Sequence, residues 1–398
     1  MRYFFDFEDR CLWNKVTLAE FELNDDAAIL LKRALSEPDC PRDADESRLL
    51  DALAEVGIRL QDIEEFQGGS RSLQTPIVHV IKCCNSRCCM CDCWKAGKSD
   101  FLSAEALLSL WPDVKALGAD SVMVSGGEPL LHPQLRQILR DIRSFGLRVE
   151  LNTNGLLLSR TEWLHEEPPD ALIVSLDGYT PEDYRVVRGV DAFEDVLDGV
   201  SRFRHASPDV LIGFRSMVTR QTISRLPLSL ELLNRTGADV VSFSPVDVAS
   251  SSFNRIASSN RAQQLTRLLL PGSGDTERYL SVFAEGEETA RLVNEACAHG
   301  RFSWCSADFR RCLAFYRELQ AGTSVSSGTG IWTDEPCNFP RESLLVDYGG
   351  EIRTCFYGPK IGLLGDGSVT SWSARSSKGL LRSQGCCRGC RGKVFCDA

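Results

Sequence analysis

From residue 77 onward the chain repeats one hydrophobic rhythm. Short apolar, β-branched runs at 77–82, 121–125, 148–152, 171–176, 210–218 and 239–244 read as strands. Between them, apolar positions recur at helical spacing over 135–145, 181–187, 192–204 and 224–236. Ser103 can cap a further helix carrying Leu107, Leu108, Trp111, Val114 and Leu117. Pro112 lies inside that pattern and is expected to kink or split it. Six strands alternating with helices predict an α/β fold with a parallel sheet.

The flanks read differently. Residues 3–7 and 12–23 pattern as strands around a turn at Glu8-Asp9-Arg10, with Tyr3, Phe5 and Phe7 on one face of the first. A helix starts at Asn24-Asp25-Asp26, with Ala27, Ile29, Leu30, Leu31 and Leu35 as its apolar set. A second covers 47–56, with Leu49, Leu50, Leu53 and Val56 inward, and ends at Gly57. Residues 58–60 form a last strand or turn, and 64–72 read as a linker. Residues 249–332 are mostly polar and helical, and the chain from Cys337 is rich in turns and cysteine. The expected units are therefore 1–72, a small α+β domain; 73–250, the strand–helix core; 251–332, a helical connector; and 333–398.

Composition narrows the class. Hydrophobic residues at 43% and charged residues at 25% of 398 are those of a globular protein with material for a large core. A net charge of −10 argues against a nucleic-acid-binding surface. No apolar run is long enough to suggest a membrane span. The seventeen cysteines concentrate at 83–93 and 386–396 instead of spreading as a disulfide framework, so a reducing cytoplasm is the expected location.

The first concentration carries the chemistry. Cys84, Cys88 and Cys91 have the spacing C-x3-C-x2-C directly after the first core strand. Three thiolates can hold three irons of a [4Fe–4S] cube and leave the fourth open to a small chelating molecule. A zinc site or a redox-sensing thiol group is the competing reading, although zinc prefers four ligands. Cys83, Cys89 and Cys93 fall outside the spacing and read as small buried or spare thiols.

This loop resembles that of the radical S-adenosylmethionine (SAM) enzymes, whose vacant iron binds the amino and carboxylate groups of SAM. Met90 stands where that family often has an aromatic residue against the adenine. Other matching segments follow at the ends of predicted strands. Gly126-Gly127-Glu128-Pro129 resembles the family's segment at the SAM amino group. Asn152-Thr153-Asn154 resembles the segment near the ribose and methionine. Ser175 and Asp177 lie in a Ser-x-Asp-Gly that resembles the ribose-contacting one, and Arg188 corresponds to an arginine that approaches the SAM carboxylate. His132, just beyond Pro129, can stand behind this site but has an ordinary structural role as its simpler reading. The resemblance implies a partial (β/α)6 TIM-like barrel whose site lies at the C-terminal ends of the strands.

Cys337, Cys355 in a G-x4-C unit, Cys387 and Cys390 resemble the SPASM/twitch extension in its shorter, twitch form, which holds one auxiliary [4Fe–4S] cluster. Cys396 can replace one of these ligands, Cys386 is a neighbouring alternative, and a structural zinc site is the competing use. The N-terminal pattern resembles the winged-helix-like precursor-recognition domain of radical SAM enzymes that modify ribosomally made peptides, against the alternative of a cap packed on the barrel.

The resemblance implies that an electron donor such as flavodoxin or ferredoxin reduces the cluster. SAM is then cleaved to methionine and a 5′-deoxyadenosyl radical, which takes a hydrogen atom from substrate. An auxiliary cluster that accepts the second electron favours net oxidation, a crosslink or dehydrogenation of a precursor peptide. A small-molecule substrate, a sugar or aminocyclitol oxidised or epimerised, is the alternative. A catalytically silent metal-binding adaptor, which cleaves no SAM, is a third.

Overall fold

The computed structural model describes residues 3–7, 10–14, 20–38, 40–65, 73, 75–98, 100–246, 264–265, 267–270, 303–304, 344–353 and 360–369. At its N-terminal end, β1 (Tyr3–Asp6), β2 (Cys11–Asn14) and β3 (Glu20–Glu22) pair antiparallel. Helices α1 (Asp25–Ser36) and α2 (Ala44–Glu55) follow, and β4 (Ile63–Glu65) joins β1 in parallel, giving the order β3-β2-β1-β4. Asn24 caps α1 by accepting the Ala27 N–H at 2.8 Å, and Asp43 caps α2 through the Asp45 and Glu46 N–H groups. Phe5, Leu12, Ala28, Leu31, Leu53, Ile58 and Ile63 form a core of their own.

Three details depart from the pattern reading. Residues 12–23 hold two strands, not one, and α2 begins ahead of residue 47. Residues 58–60 are not the last strand. Gly57, at φ +81°, closes α2, and the Ile58 N–H returns to the Leu53 carbonyl at 2.8 Å. Ile58 is thus a buried plug at a helix end, and the strand comes later, at β4. Ile29 and Val56, expected inward, are each 57% exposed.

The core alternates as expected. Its elements are β5 (Ile77–Ile81), α3 (Ala104–Leu107), α4 (Leu110–Ala116), β6 (Ser121–Gly126), α5 (Leu135–Ser144), β7 (Arg148–Thr153), α6 (Trp163–Glu166), β8 (Ala171–Ser175), α7 (Pro181–Arg188), α8 (Phe193–Ala206), β9 (Leu211–Val218), α9 (Leu228–Thr236) and β10 (Val240–Pro245). From β5 to β10 every strand is parallel to the next. Pro112 splits its helix: α3 stops before Leu108, the residue whose carbonyl would need the missing proline N–H, and α4 restarts with Pro112 in its first turn. Ser103 caps α3 through the Ala106 N–H at 3.1 Å.

Beyond β10 lies β11 (Ser303–Trp304), parallel to it. On the other side, β12 (Leu345–Val346) runs parallel to β5, and β13 (Glu351–Arg353) and β14 (Lys360–Leu363) continue antiparallel. The order is β11-β10-β9-β8-β7-β6-β5-β12-β13-β14. The fold is α/β, with the six parallel strands and their helices forming a partial (β/α)6 TIM-like core.

The two faces of this sheet differ. Val78, Val80, Val122, Val124, Val149, Leu151, Leu172, Val174, Ile212, Phe214, Val241 and Phe243 are buried, in one cluster with Trp111, Ile138, Leu139 and Val200 of the helices. The alternate positions, Met123, Glu150, Asn152, Ile173, Arg215, Met217 and Ser242, are half-buried. Strand periodicity puts these on the opposite, largely polar face.

Candidate active site

The three spaced thiols lie on the loop that leaves β5, and each has a donor beside it. Cys84 Sγ accepts from the Ser86 N–H at 3.4 Å and from Asn154 Nδ2 at 3.5 Å. Ser86 Oγ lies 3.3 Å from Cys88 Sγ, and the Cys93 N–H donates to Cys91 Sγ at 3.4 Å. Cys88 is buried; Cys84 and Cys91 are half-buried. Burial pushes the Cys84 thiol up to about 12. A hydrogen bond with Cys93, together with burial, raises that of Cys91, which puts Cys93 next to Cys91 although it lies outside the spacing. Met90 is buried in the core cluster beside the loop.

Two distant segments fix this loop. The first is the end of α7. Its last carbonyls lack partners within the helix, and the loop supplies them. The Arg188 carbonyl accepts from Ser86 Oγ at 2.9 Å and from the Arg87 N–H at 3.1 Å, and the Val187 carbonyl accepts from the Cys89 N–H at 3.0 Å. Gly189, at φ +69°, leaves the helix so close that a Cβ would stand 2.2 Å from the Arg87 carbonyl oxygen. The second segment is the end of β6. The Gly127 N–H donates to the Ile81 carbonyl at 2.7 Å and the Glu128 N–H to the Cys83 carbonyl at 2.9 Å. A Cβ on Gly127 would lie 2.1 Å from the Lys82 oxygen and 2.2 Å from the Cys83 oxygen. The glycines of this segment therefore permit strand-to-loop contact.

Glu128 is fully buried, and its carboxylate accepts from Thr153 Oγ1 and the Asn154 N–H, both at 2.7 Å, and from the Leu130 N–H at 3.0 Å, just past Pro129. Burial raises its pKa, and these donors pull it back. Here the carboxylate ties the end of β7 to the turn after β6. Asn154 continues the chain of contacts, since its Nδ2 also donates to Asn85 Oδ1 at 2.7 Å.

Asp177 and Arg188 form a buried ion pair at 2.9 Å, and the other Asp177 oxygen accepts the Met217 N–H at 2.8 Å. Burial disfavours the guanidinium charge, but the Asp177 carboxylate beside it helps hold Arg188 charged, with its pKa raised. Ser175 ends β8, in register with Arg215 of β9. Asn152 Nδ2 reaches Ser125 Oγ at 3.4 Å while its buried Oδ1 has no partner among the described residues. His132 is structural: Nε2 lies 2.8 Å from the Leu102 carbonyl oxygen, and Nδ1 accepts the Gln134 N–H at 3.0 Å.

All the residues of the site expected from positions 84–188 are thus gathered at the C-terminal ends of β5 to β8. Pattern reading missed Asn85, Ser86, Tyr184, Arg215 and Met217. Asn85 and Ser86, both inside the cysteine spacing, are the two with a sequence signal. Toward the other end of the strands, the polar face holds a cavity of about 310 Å³ lined by Arg148, Glu150, Arg215 and Ser242 among others. Cys337, Cys355, Cys387 and Cys390, with Cys386 and Cys396, lie outside the described residues.

Comparison with known proteins agrees with this geometry. Residues 78–233 match the model of the radical SAM superfamily. A probable GTP 3′,8-cyclase of Sulfurisphaera tokodaii is 30% identical over 197 residues, 48% of this chain and 62% of that protein. One of Saccharolobus islandicus is 33% identical over 141 residues, 35% of this chain and 45% of that protein. The chain therefore spans about half the length of these relatives. Streptococcus suis SuiB bound to precursor peptide SuiA superposes with a TM-score of 0.56 at 14% identity, over 96% of this chain and 89% of that one. Native anSMEcpe with bound AdoMet and the Kp18Cys peptide gives 0.52 at 18%, over 81% and 88%. The likeness to the radical SAM superfamily thus lies in residues 78–233, the strand–helix core that carries the thiol loop.

The superfamily's cofactors are a [4Fe–4S] cluster and SAM. Among the described residues no three Cys, His, Asp or Glu side chains already converge as metal ligands. The fit rests on the donor set: three thiols on one eight-residue loop, hydrogen-bond donors at their sulfurs, and a buried cation beside Cys88. Hydrogen bonds to sulfur and nearby positive charge are what thiolate ligands of a cluster require.

Proposed function

We propose that this chain is a radical SAM enzyme that carries out a net oxidation, a crosslink or dehydrogenation, of a ribosomally made peptide. The observation that carries the reading is the thiol loop itself, seated between the end of α7 and the Gly126-Gly127-Glu128 turn, with a donor at each of the three sulfurs. When bound there, the cluster and SAM supply a radical that removes one substrate hydrogen atom. Cys84, Cys88 and Cys91 hold the cluster. The backbone of Gly126 and Gly127, the Asn152–Asn154 strand end, Ser175 and Met90 border the space for SAM. Glu128, Asp177 and Arg188 fix the strand ends and the loop around it.

The peptide reading is supported by the fold likeness to SuiB, which extends over nearly the whole chain, and by a four-stranded N-terminal sheet whose outer strand β3 is short and can be extended by a peptide strand. On this reading Cys337, Cys355, Cys387 and Cys390 would hold an auxiliary [4Fe–4S] cluster, which would supply an electron acceptor. Sequence similarity to the GTP 3′,8-cyclases favours the second reading, a small-molecule substrate.

Anaerobically reconstituted protein with SAM and dithionite should form 5′-deoxyadenosine and methionine, and the Cys84→Ala/Cys88→Ala/Cys91→Ala protein should form none while retaining about half of the iron. Undiminished 5′-deoxyadenosine from the triple variant would refute the assignment. A precursor peptide of the right class should lose two hydrogens, about 2 Da, per oxidation; turnover of GTP or a sugar with no peptide modified would favour the second reading.

A further inference from the structure

Two buried donors at the end of α7 find no acceptor among the described residues. The Tyr184 hydroxyl is on a side chain with 0% exposure, and Arg188 Nε is on one 7% exposed; neither donates to a described acceptor. Leaving either without an acceptor costs free energy, yet the fold holds both in place. Tyr184 is wedged against Phe193, with ring centroids 5.8 Å apart. Arg188 is fixed at three points: its Nη1 by Asp177, and its carbonyl by Ser86 Oγ and the Arg87 N–H. Tyr184 and Arg188 stand one helical turn apart on α7, whose last carbonyls are bonded by the residues on either side of Cys88. Ser86 completes the connection, with one hydroxyl bridging the Arg188 carbonyl and Cys88 Sγ.

We infer that Tyr184 Oη–H and Arg188 Nε–H are cluster-facing donors, which hydrogen-bond the Cys88 thiolate or the inorganic sulfide next to it and make the cluster easier to reduce. The inference rests on the reading of Cys88 as a cluster ligand. Reduction adds one electron to the cluster, supplied by an external one-electron reductant, and takes it from the 2+ to the 1+ state. That step makes the sulfurs more negative, so a donor aimed at them stabilises the reduced form more than the oxidised form. Asp177 holds the guanidinium in place, and the tight seat of Gly189 against Arg87 keeps the end of α7, and with it both donors, at a fixed distance from the loop.

The test is a redox titration of the reconstituted full-length protein in the absence of SAM, followed by electron paramagnetic resonance. The signal that SAM addition alters identifies the first cluster. Tyr184→Phe keeps the ring and removes only the hydroxyl. Arg188→Lys keeps a positive charge for Asp177 and removes Nε–H. Each variant is expected to bind wild-type iron and to shift the midpoint to lower potential. Loss of one such donor should change the reduced-to-oxidised ratio about tenfold, or about 59 mV for one electron. Deuterium exchange should also move the Fe–S stretching bands, and more in wild type than in Tyr184→Phe, where only the other donors at the sulfurs remain. Unshifted midpoints with unchanged iron would overturn the inference, as would variants whose only defect is weaker SAM binding. An insensitive Fe–S spectrum would overturn it even if both variants failed to load. No SAM-responsive cluster in wild type would instead overturn the reading on which it rests.

Discussion

Gly127→Ala is the sharpest perturbation of the site that leaves every ligand and polar contact chemically intact. The added methyl carbon would sit 2.1 Å from the Lys82 carbonyl oxygen and 2.2 Å from that of Cys83. Ordinary contact needs more than 3 Å, so the turn after β6 and the start of the thiol loop must part by about 1 Å. Both obstructing atoms belong to backbone that is already hydrogen-bonded: Gly127 N–H to Ile81 at 2.7 Å and Glu128 N–H to Cys83 at 2.9 Å. Losing both bonds costs about 2 kcal/mol net, and residual overpacking adds about 1 kcal/mol. A loss near 3 kcal/mol corresponds to a melting temperature about 6–12 °C lower for a domain of this size. Because the opening falls at Cys83–Cys84, iron bound by the first cysteine set should fall as well. Gly146→Ala is the matched control. That glycine is also at positive φ, +69°, but a Cβ there meets none of the described residues within 4 Å. It should lose only the left-handed strain of about 1–2 kcal/mol and bind full iron. If the two variants melt together and load iron equally, the contact between turn and loop does not position the thiols.

Three further outcomes follow from other parts of the structure. Asp177→Asn leaves the Arg188 charge buried without its counter-ion, and should destabilise by about 3–5 kcal/mol, read from the urea midpoint; a change below 1 kcal/mol would mean that the pair is solvated. Arg140 and Arg136 draw Glu167 down to about 2, so its ion pairs support the fold above pH 4.5 and lose that support as pH falls through 2. The difference in urea midpoint between wild type and Glu167→Gln should thus be full at pH 7 and shrink steadily between pH 4.5 and 2; a pH-independent difference would exclude the ion pairs as its source. A chain beginning at Ser70 should still fold and cleave SAM, since residues 5–63 have their own apolar core. Peptide turnover by that chain should fall through a raised KM, and unchanged turnover would remove the N-terminal domain from substrate recognition.

Local chemistry made much of this protein legible. The six core strands could be read because one face of each is packed under helices and so must be apolar. The break at Pro112 and the caps at Ser103 and Asn24 could be read because a missing N–H and a short acceptor side chain act within four residues. The thiol spacing could be read because three ligands on one loop are a local fact.

What the tertiary structure decided is whatever joins residues far apart in the chain. Ser86 meets the Arg188 carbonyl across 102 positions, and no local pattern specifies that a helix end will be capped by a cysteine loop. Arg188 reads as a residue that approaches a ligand carboxylate; only the fold shows that it is buried on Asp177, because a charge beneath a packed loop needs an opposite charge. Glu128 reads as an acceptor for a ligand; only the fold shows that three donors from the end of β7 and the turn after β6 also converge on its carboxylate. The pairing of β12 with β5, which brings the C-terminal hairpin to the strand that feeds the thiol loop, joins residues 77 and 345. The polar inner face has the same origin. Alternation along a strand sorts its residues into two sets, but only packing against α4, α5 and α8 decides which set is left to line the site.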